Sequence, residues 1–290
     1  MKSKIGGLSN FLYLCTRNTN LYFLYPYMKK FILDLTVTEN IKLHANYVLL
    51  KLTSQSLLPE MLPGQFAELR VDGSPTTFLR RPISINFVDK QRNEVWFLIQ
   101  LLGDGTRRLA EVNPGDVINV VLPLGNGYTM PQNPSDKLLL VGGGVGTAPM
   151  LYLGEQLAKN GHKPTFLLGA RSDKDLLQLE EFVKYGEVYT TTEDGSHGEK
   201  GYVTQHSILN KVRFEQIYTC GPKPMMVAVA KYAKSNQIEC EVSLENTMAC
   251  GIGACLGCVC QSTETDAHSH VHNKRVCKDG PVFRSTEVEL

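Results

Sequence analysis

Four of the chain's eight cysteines fall in MACGIGACLGCVCQ, residues 248–261, and a fifth, Cys277, follows in RVCKDGP. Thiols this close in a loop point to a disulfide framework, a zinc site or an iron–sulfur site. Disulfides would be spread over a small secreted domain, whereas here seven of the eight cysteines lie after residue 219. A zinc ribbon would show two short pairs, and Cys277 has no close partner. Cys250-x4-Cys255-x2-Cys258 with a distant fourth cysteine is the spacing of plant-type [2Fe–2S] ligands. Gly251, Gly253, Ala254 and Gly257 suit such a loop, which needs unusual backbone angles and N–H groups turned toward sulfide. Strand alternation alone does not exclude Cys260, because it shares a face with Cys258. The x4–x2 loop ends at Cys258, so spacing makes Cys260 a packed thiol and Cys277 the fourth ligand. AHSHVH, 267–272, places three histidines at alternate positions. No cysteine adjoins them as a Rieske centre would need, and they read as a solvated hairpin tip.

Four further stretches carry chemistry. RRPISI, 80–85, sets arginine in an apolar strand pattern, which calls for an anion or a carboxylate. GDGTRRL, 103–109, places glycines and a threonine at a helix start, where free N–H groups favour phosphate or simply form a cap. LLLVGGGVGTAP, 138–149, joins a buried strand to a helix through glycines that let a pyrophosphate approach the backbone. TCGPKPMM, 219–226, ends a strand where ligands of open parallel sheets bind, although Cys220 reads equally as a buried thiol.

The elements that must hold these residues follow from pattern. YVLLKL, GQFAELRV, EVWFLIQLL and DVINVVLPL are short strands separated by turn residues, as in a closed or Greek-key antiparallel β-barrel over 28–130. One helix is expected there, at 105–112. From 137 to 237 strands alternate with helices, notably 148–161, 175–186 and 224–237, which predicts a doubly wound parallel sheet. Residues 240–290 are too few for an independent apolar core, so bound metal is the expected staple. A formal net charge of +1 gives no footprint for nucleic acid or anionic membrane. Local cysteine use favours a reducing, cytoplasmic compartment. Residues 1–27 are too broken by Arg17, Asn18 and Asn20 for a spanning helix and read as an extension upstream of a start at Met28.

In this order, the motifs resemble the ferredoxin–NADP reductase family. The resemblance implies an FAD-binding barrel in which Arg81-Pro82-Ile83-Ser84, Leu98-Ile99-Gln100, Gly105 and Thr106 contact the flavin nucleotide. Ile83 stands where that family carries an aromatic tyrosine. It further implies that Gly143, Gly144, Gly146 and Thr147 face the pyrophosphate of NAD, with Cys220 near the nicotinamide and flavin rings. Residues 169–176 and 191–198 would meet the adenosine half. Arg171 could pair a 2′-phosphate and Asp173 oppose one, so NAD against NADP stays open. LENTMACGIGACLGCVC followed by RVCKDGPVF resembles the electron-transfer subunits of dihydroorotate dehydrogenase B. That implies an FMN-containing catalytic partner, two copies of each chain, and electrons passing from FMN through [2Fe–2S] and FAD to NAD+ in pyrimidine biosynthesis. The partner would dock over 245–280, with Met248, Ile252 and Leu256 as contacts or as cluster shielding. Hydrogenase subunits and NADH-dependent ferredoxin–NADP oxidoreductase share the layout. A non-enzymatic zinc-binding regulatory module is the alternative of another class.

Overall fold

The computed structural model describes residues 29–133, 135–265 and 270–290. The expected extension at 1–27 and the first histidine of AHSHVH lie outside the described residues. The N-terminal half is one antiparallel sheet. Its strands are β1 (Phe31–His44), β2 (Tyr47–Thr53), β3 (Phe66–Leu69), β4 (Arg81–Ser84), β5 (Phe87–Asp89), β6 (Glu94–Gln100) and β7 (Val117–Leu124), in the order β4-β3-β7-β1-β2-β6-β5. The two edge strands, β4 and β5, are consecutive in sequence. Between them Ile85 N donates to Gln65 O (3.0 Å) and Asn86 N donates to Trp96 O (2.9 Å). One continuous segment therefore leaves β3 and joins β6, curling the sheet onto a core of Leu50, Phe97 and Val120. The result is a curled half-barrel rather than a closed ladder. Helix α1 spans Asp104–Leu109, shorter than the expected 105–112.

The second sheet contains β8 (Leu138–Gly143), β9 (Thr165–Ala170), β10 (Glu187–Thr192), β11 (Glu199–Lys200), β12 (Gln216–Cys220) and β13 (Glu239–Ser243), all parallel. Its order, β11-β10-β9-β8-β12-β13, reverses direction at β8. Every residue of β8 is buried, as a central parallel strand with both faces covered requires. Helices α2 (Ala148–Lys159) and α5 (Lys223–Ser235) match the periodicity. The helix expected over 175–186 shrinks to α3 (Leu179–Phe182), and a further short helix, α4, spans Ile208–Lys211. The cause of the shortening is Gln178, which takes a left-handed backbone (φ +56°). Its buried amide exchanges two 3.1 Å hydrogen bonds with Asn86 of the half-barrel. A tertiary contact between lobes overrides local helix propensity there.

The C-terminal segment is not a separate body. β14 (Val259–Gln261) and β15 (Asn273–Arg275) form a small hairpin, but β16 (Val282–Arg284) adds antiparallel to β13, extending the nucleotide sheet. The boundary expected at 240 thus falls inside β13. Asn126 ties the segment to the half-barrel, its N–H donating to Gly280 O and its side chain to Asp279 O (2.9 Å). Tyr152 Oη donates to Met61 O (3.0 Å) and Tyr218 Oη to Thr129 O (2.9 Å), so half-barrel and parallel sheet share one continuous core.

Candidate functional site

The cysteine loop is built on left-handed backbone at Gly251 (φ +64°), Gly253 (φ +84°) and Leu256 (φ +58°). This turns N–H groups inward: Ala254 N donates to Cys250 Sγ (3.3 Å), Gly257 N to Cys255 Sγ (3.4 Å) and Cys277 N to Cys258 Sγ (3.4 Å). Burial pushes the Cys250 thiol up, but hydrogen bonds from Ile252, Cys255 and Ala254 outweigh it and hold the group well below its ordinary value. That favours the thiolate, the metal-binding form. Side-chain contacts couple Cys250 with Cys255 and Cys258 with Cys277. Among the described residues, no three His, Cys, Asp or Glu side chains converge on one metal ion. Two thiol pairs offer two ligands to each of two irons. Cys260 lies in β14 opposite Lys274, packed against the C-terminal core and outside both thiol pairs. Of the three apolar residues expected at a docking face, Ile252 and Leu256 are 46% and 63% exposed. Met248 is corrected as a docking contact, since it is buried in the core beside the loop; of the two expectations only shielding fits it.

On the half-barrel, the two adjacent arginines separate in role. Arg80 is committed to Asn119, donating to its backbone oxygen (2.8 Å) and its side chain. Arg81 is not: its Nε is buried without a hydrogen-bond partner, facing α1. A Cβ at Gly105 would lie 2.5 Å from that nitrogen, so only glycine admits the guanidinium there. A guanidinium whose buried Nε lacks a partner, beside a glycine cradle, fits the diphosphate of a flavin nucleotide. Thr106 is occupied locally, its hydroxyl capping the backbone N–H groups of Leu102 and Gly103. Strand alternation splits Leu98-Ile99-Gln100. Ile99 points into the half-barrel core, Leu98 packs on the parallel-sheet lobe, and only Gln100 reaches open space.

A second buried charge lies between this region and the cysteine loop. Glu68 on β3 pairs across to Pro82 of β4, and both carboxylate oxygens are buried without partners. Gly251 packs directly on it; a Cβ there would meet Glu68 Cγ at 2.7 Å. Burial pushes the Glu68 carboxyl up to about 7, against the pull of Arg80 and Arg81. Sequence reading missed this residue, because an acid in a strand pattern reads as the solvent face.

A cleft of about 670 Å³ opens at the carboxyl ends of β8 and β12, where the strand order reverses. Its floor is Gly143, Gly144 and Gly146, with Gly221 and Pro222 beside them. The glycines serve two purposes. A Cβ at Gly146 would strike Cys220 O and Gly221 at 2.5 Å, so glycine is required where two turns touch. Gly144 (φ +55°) instead faces open space. Thr147 is buried, its hydroxyl donating to Gly144 O (3.0 Å), and it stays out of the cleft. Cys220 is likewise a buried thiol in the core, its pKa raised by desolvation; Gly221 and Pro222 line the cleft in its place. Arg171, Asp175 and Glu193 also line the cleft, whereas Asp173 is not on the wall. Tyr47 from the half-barrel and Glu245 from the cysteine segment also line the cleft. Sequence pattern gave no sign of either.

Residues 245–289 match the family described as the iron–sulfur cluster binding domain of dihydroorotate dehydrogenase B, and residues 140–231 match the oxidoreductase NAD-binding domain. The chain is 38% identical over 262 residues to the dihydroorotate dehydrogenase B (NAD(+)) electron transfer subunit of Fusobacterium nucleatum, covering 89% of this chain and 98% of that one. The chain belongs to the family of dihydroorotate dehydrogenase B electron-transfer subunits. The Geobacillus kaustophilus member is 41% identical over 82% of this chain and 91% of its own length. A solved NADH-dependent reduced ferredoxin-NADP oxidoreductase superposes with a TM-score of 0.76 at 28% identity, covering 88% of this chain and 89% of that chain. The ferredoxin reductase of carbazole 1,9a-dioxygenase (TM-score 0.61, 19% identity, covering 73% of this chain and 68% of that chain) shares the fold. The iron–sulfur segment of the family contains Cys250, Cys255, Cys258, Cys260 and Cys277, and the NAD-binding segment contains the glycine floor.

Proposed function

We propose that this chain is the relay subunit of a dihydroorotate dehydrogenase B. It takes electrons at a [2Fe–2S] centre from an FMN-carrying subunit that oxidises dihydroorotate, and passes them through FAD to NAD+. The observation that carries this reading is the junction at Glu68. The strand assigned to flavin and the loop assigned to the cluster both pack directly on this one side chain.

When bound, FAD exchanges two electrons with nicotinamide and single electrons with an iron–sulfur centre, which is why the series needs all three. The chain's own residues bind and position. Cys250 with Cys255, and Cys258 with Cys277, supply the thiolates, and the inward N–H groups stabilise their charge. Arg81 and Gly105 receive the flavin diphosphate, with Ser84 further along the same strand. Gly143, Gly144 and Gly146 let the dinucleotide approach the backbone at the switch point of the sheet. The acids Asp175 and Glu193 beside Arg171 favour a free ribose over a 2′-phosphate, and so NAD over NADP. We also assign a cytoplasmic location and a heterotetramer with two copies of each subunit. No helix among the described residues is long and apolar enough to cross a membrane.

The test is reconstitution with the FMN subunit under anaerobic conditions. Dihydroorotate-dependent NAD+ reduction should require both chains, while this chain alone reduces dyes with NADH. Light scattering should give the mass of two of each. A chain that reduces NAD+ only with ferredoxin or hydrogen would overturn the assignment of partner.

A further inference from the structure

The nucleotide cleft is lined in part by the half-barrel, through Asn46, Tyr47 and Gln100. Tyr47 opens β2 of the half-barrel, yet it shares a buried cluster with Leu98 of the same lobe and with Ala148 and Leu177 of the parallel-sheet lobe. Only 6% of the residue is exposed, so the ring is held by both lobes. Its hydroxyl reaches the cleft opposite the one floor glycine that faces open space. A Cβ built on Gly144 would meet a single neighbour within 4 Å, the Tyr47 hydroxyl at 4.0 Å. Gln100 Nε2 donates to that hydroxyl (3.1 Å), which fills an acceptor position and leaves the phenol proton to be donated elsewhere. Among the described residues no acceptor takes it. Burial and then Asp175 raise the phenol pKa against the pull of Arg171, so the group stays a donor at neutral pH.

We propose that Tyr47 donates a hydrogen bond to the pyrophosphate of the dinucleotide lying over Gly144, so that the NAD site is completed by the flavin-binding lobe. This rests on the reading of the cleft as an NAD site. The chemistry matches: a neutral phenol fixed by an amide on one side and aimed into a glycine-floored cleft suits an anionic oxygen. A hydroxyl from the other lobe makes dinucleotide affinity depend on how the lobes are seated. It also holds the nucleotide toward the half-barrel, where the flavin is assigned.

The test is equilibrium binding of NAD+ and of ADP-ribose to the cofactor-loaded chain, comparing the native protein with Tyr47→Phe. Both ligands carry the pyrophosphate, so both should weaken by the same factor, about tenfold for one hydrogen bond to a charged group. Flavin and cluster absorbance should stay unchanged. Gly144→Ala, which puts a methyl into the gap from the opposite wall, should weaken both ligands as well. Unchanged affinity in Tyr47→Phe overturns the proposal. So does a loss for NAD+ alone, which would put Tyr47 on the nicotinamide, and so does loss of FAD. A native protein that binds neither ligand would instead overturn the NAD reading of the cleft.

Discussion

At the scale of single residues, the informative ones are those whose bonding is incomplete. Glu68 is 1% exposed with no partner for either oxygen, and its carboxyl is raised by burial from an ordinary 4.5 to about 7. A carboxyl that holds its proton more tightly when folded stabilises the protein fully at low pH. That contribution fades as pH rises from the unfolded value through about 7. Glu68→Gln should therefore raise the thermal midpoint at pH 8, and the gain should close by pH 5; a pH-independent gain would contradict the account. The effect above pH 7 should be on the order of 1–3 kcal/mol, the cost of one unsatisfied buried polar group. The cysteines divide in the same way. Cys258→Ser should abolish the visible absorbance of the cluster, while Cys260→Ser should leave it, because Cys260 takes no part in the paired thiol contacts. The reverse pattern in metal and sulfide analysis would reassign the fourth ligand.

At the scale of elements, local pattern and tertiary contact compete visibly. The strands at 47–53, 94–100 and 117–124 and helices α2 and α5 follow their hydrophobic periods and were legible in sequence. The segment 175–186 has helical periodicity as well, yet Gln178 breaks it to reach Asn86 across the seam. No local rule contains that partner, which is 92 residues away. Asn86→Ala removes bonds to both Gln178 and Ala148 O, leaving a buried amide unsatisfied. It should cost about 1–3 kcal/mol in denaturant unfolding. A loss under about 0.5 kcal/mol would mean the amide pair does not hold the seam.

At the scale of the whole molecule, the cysteine segment is fastened to both other lobes, through β16 on the nucleotide sheet and through Asn126 on the half-barrel. A chain ending at Ser243 would leave the edge of β13 unpaired and expose Phe66 and Leu124, which pack on this segment. It should aggregate rather than fold as a two-lobe reductase, as size-exclusion chromatography would show. Ile252 and Leu256 are the exposed apolar residues of the cluster loop. Changing both to Glu should slow electron delivery from the FMN subunit at least tenfold while NADH–dye activity persists. Equal loss of both activities would make them part of the cluster's own shell.

The sequence by itself determined the ligand spacing, the glycine turns and the alternation of strands and helices, because spacing, backbone freedom and period are local properties of a chain. It could not assign Arg81 over Arg80, place Glu68 beneath Gly251 or bring Tyr47 to Gly144. Each depends on which groups meet across lobes and on which buried polar atoms are left without partners. Those are properties of packing, and packing is decided only when all three parts of the chain close on one another.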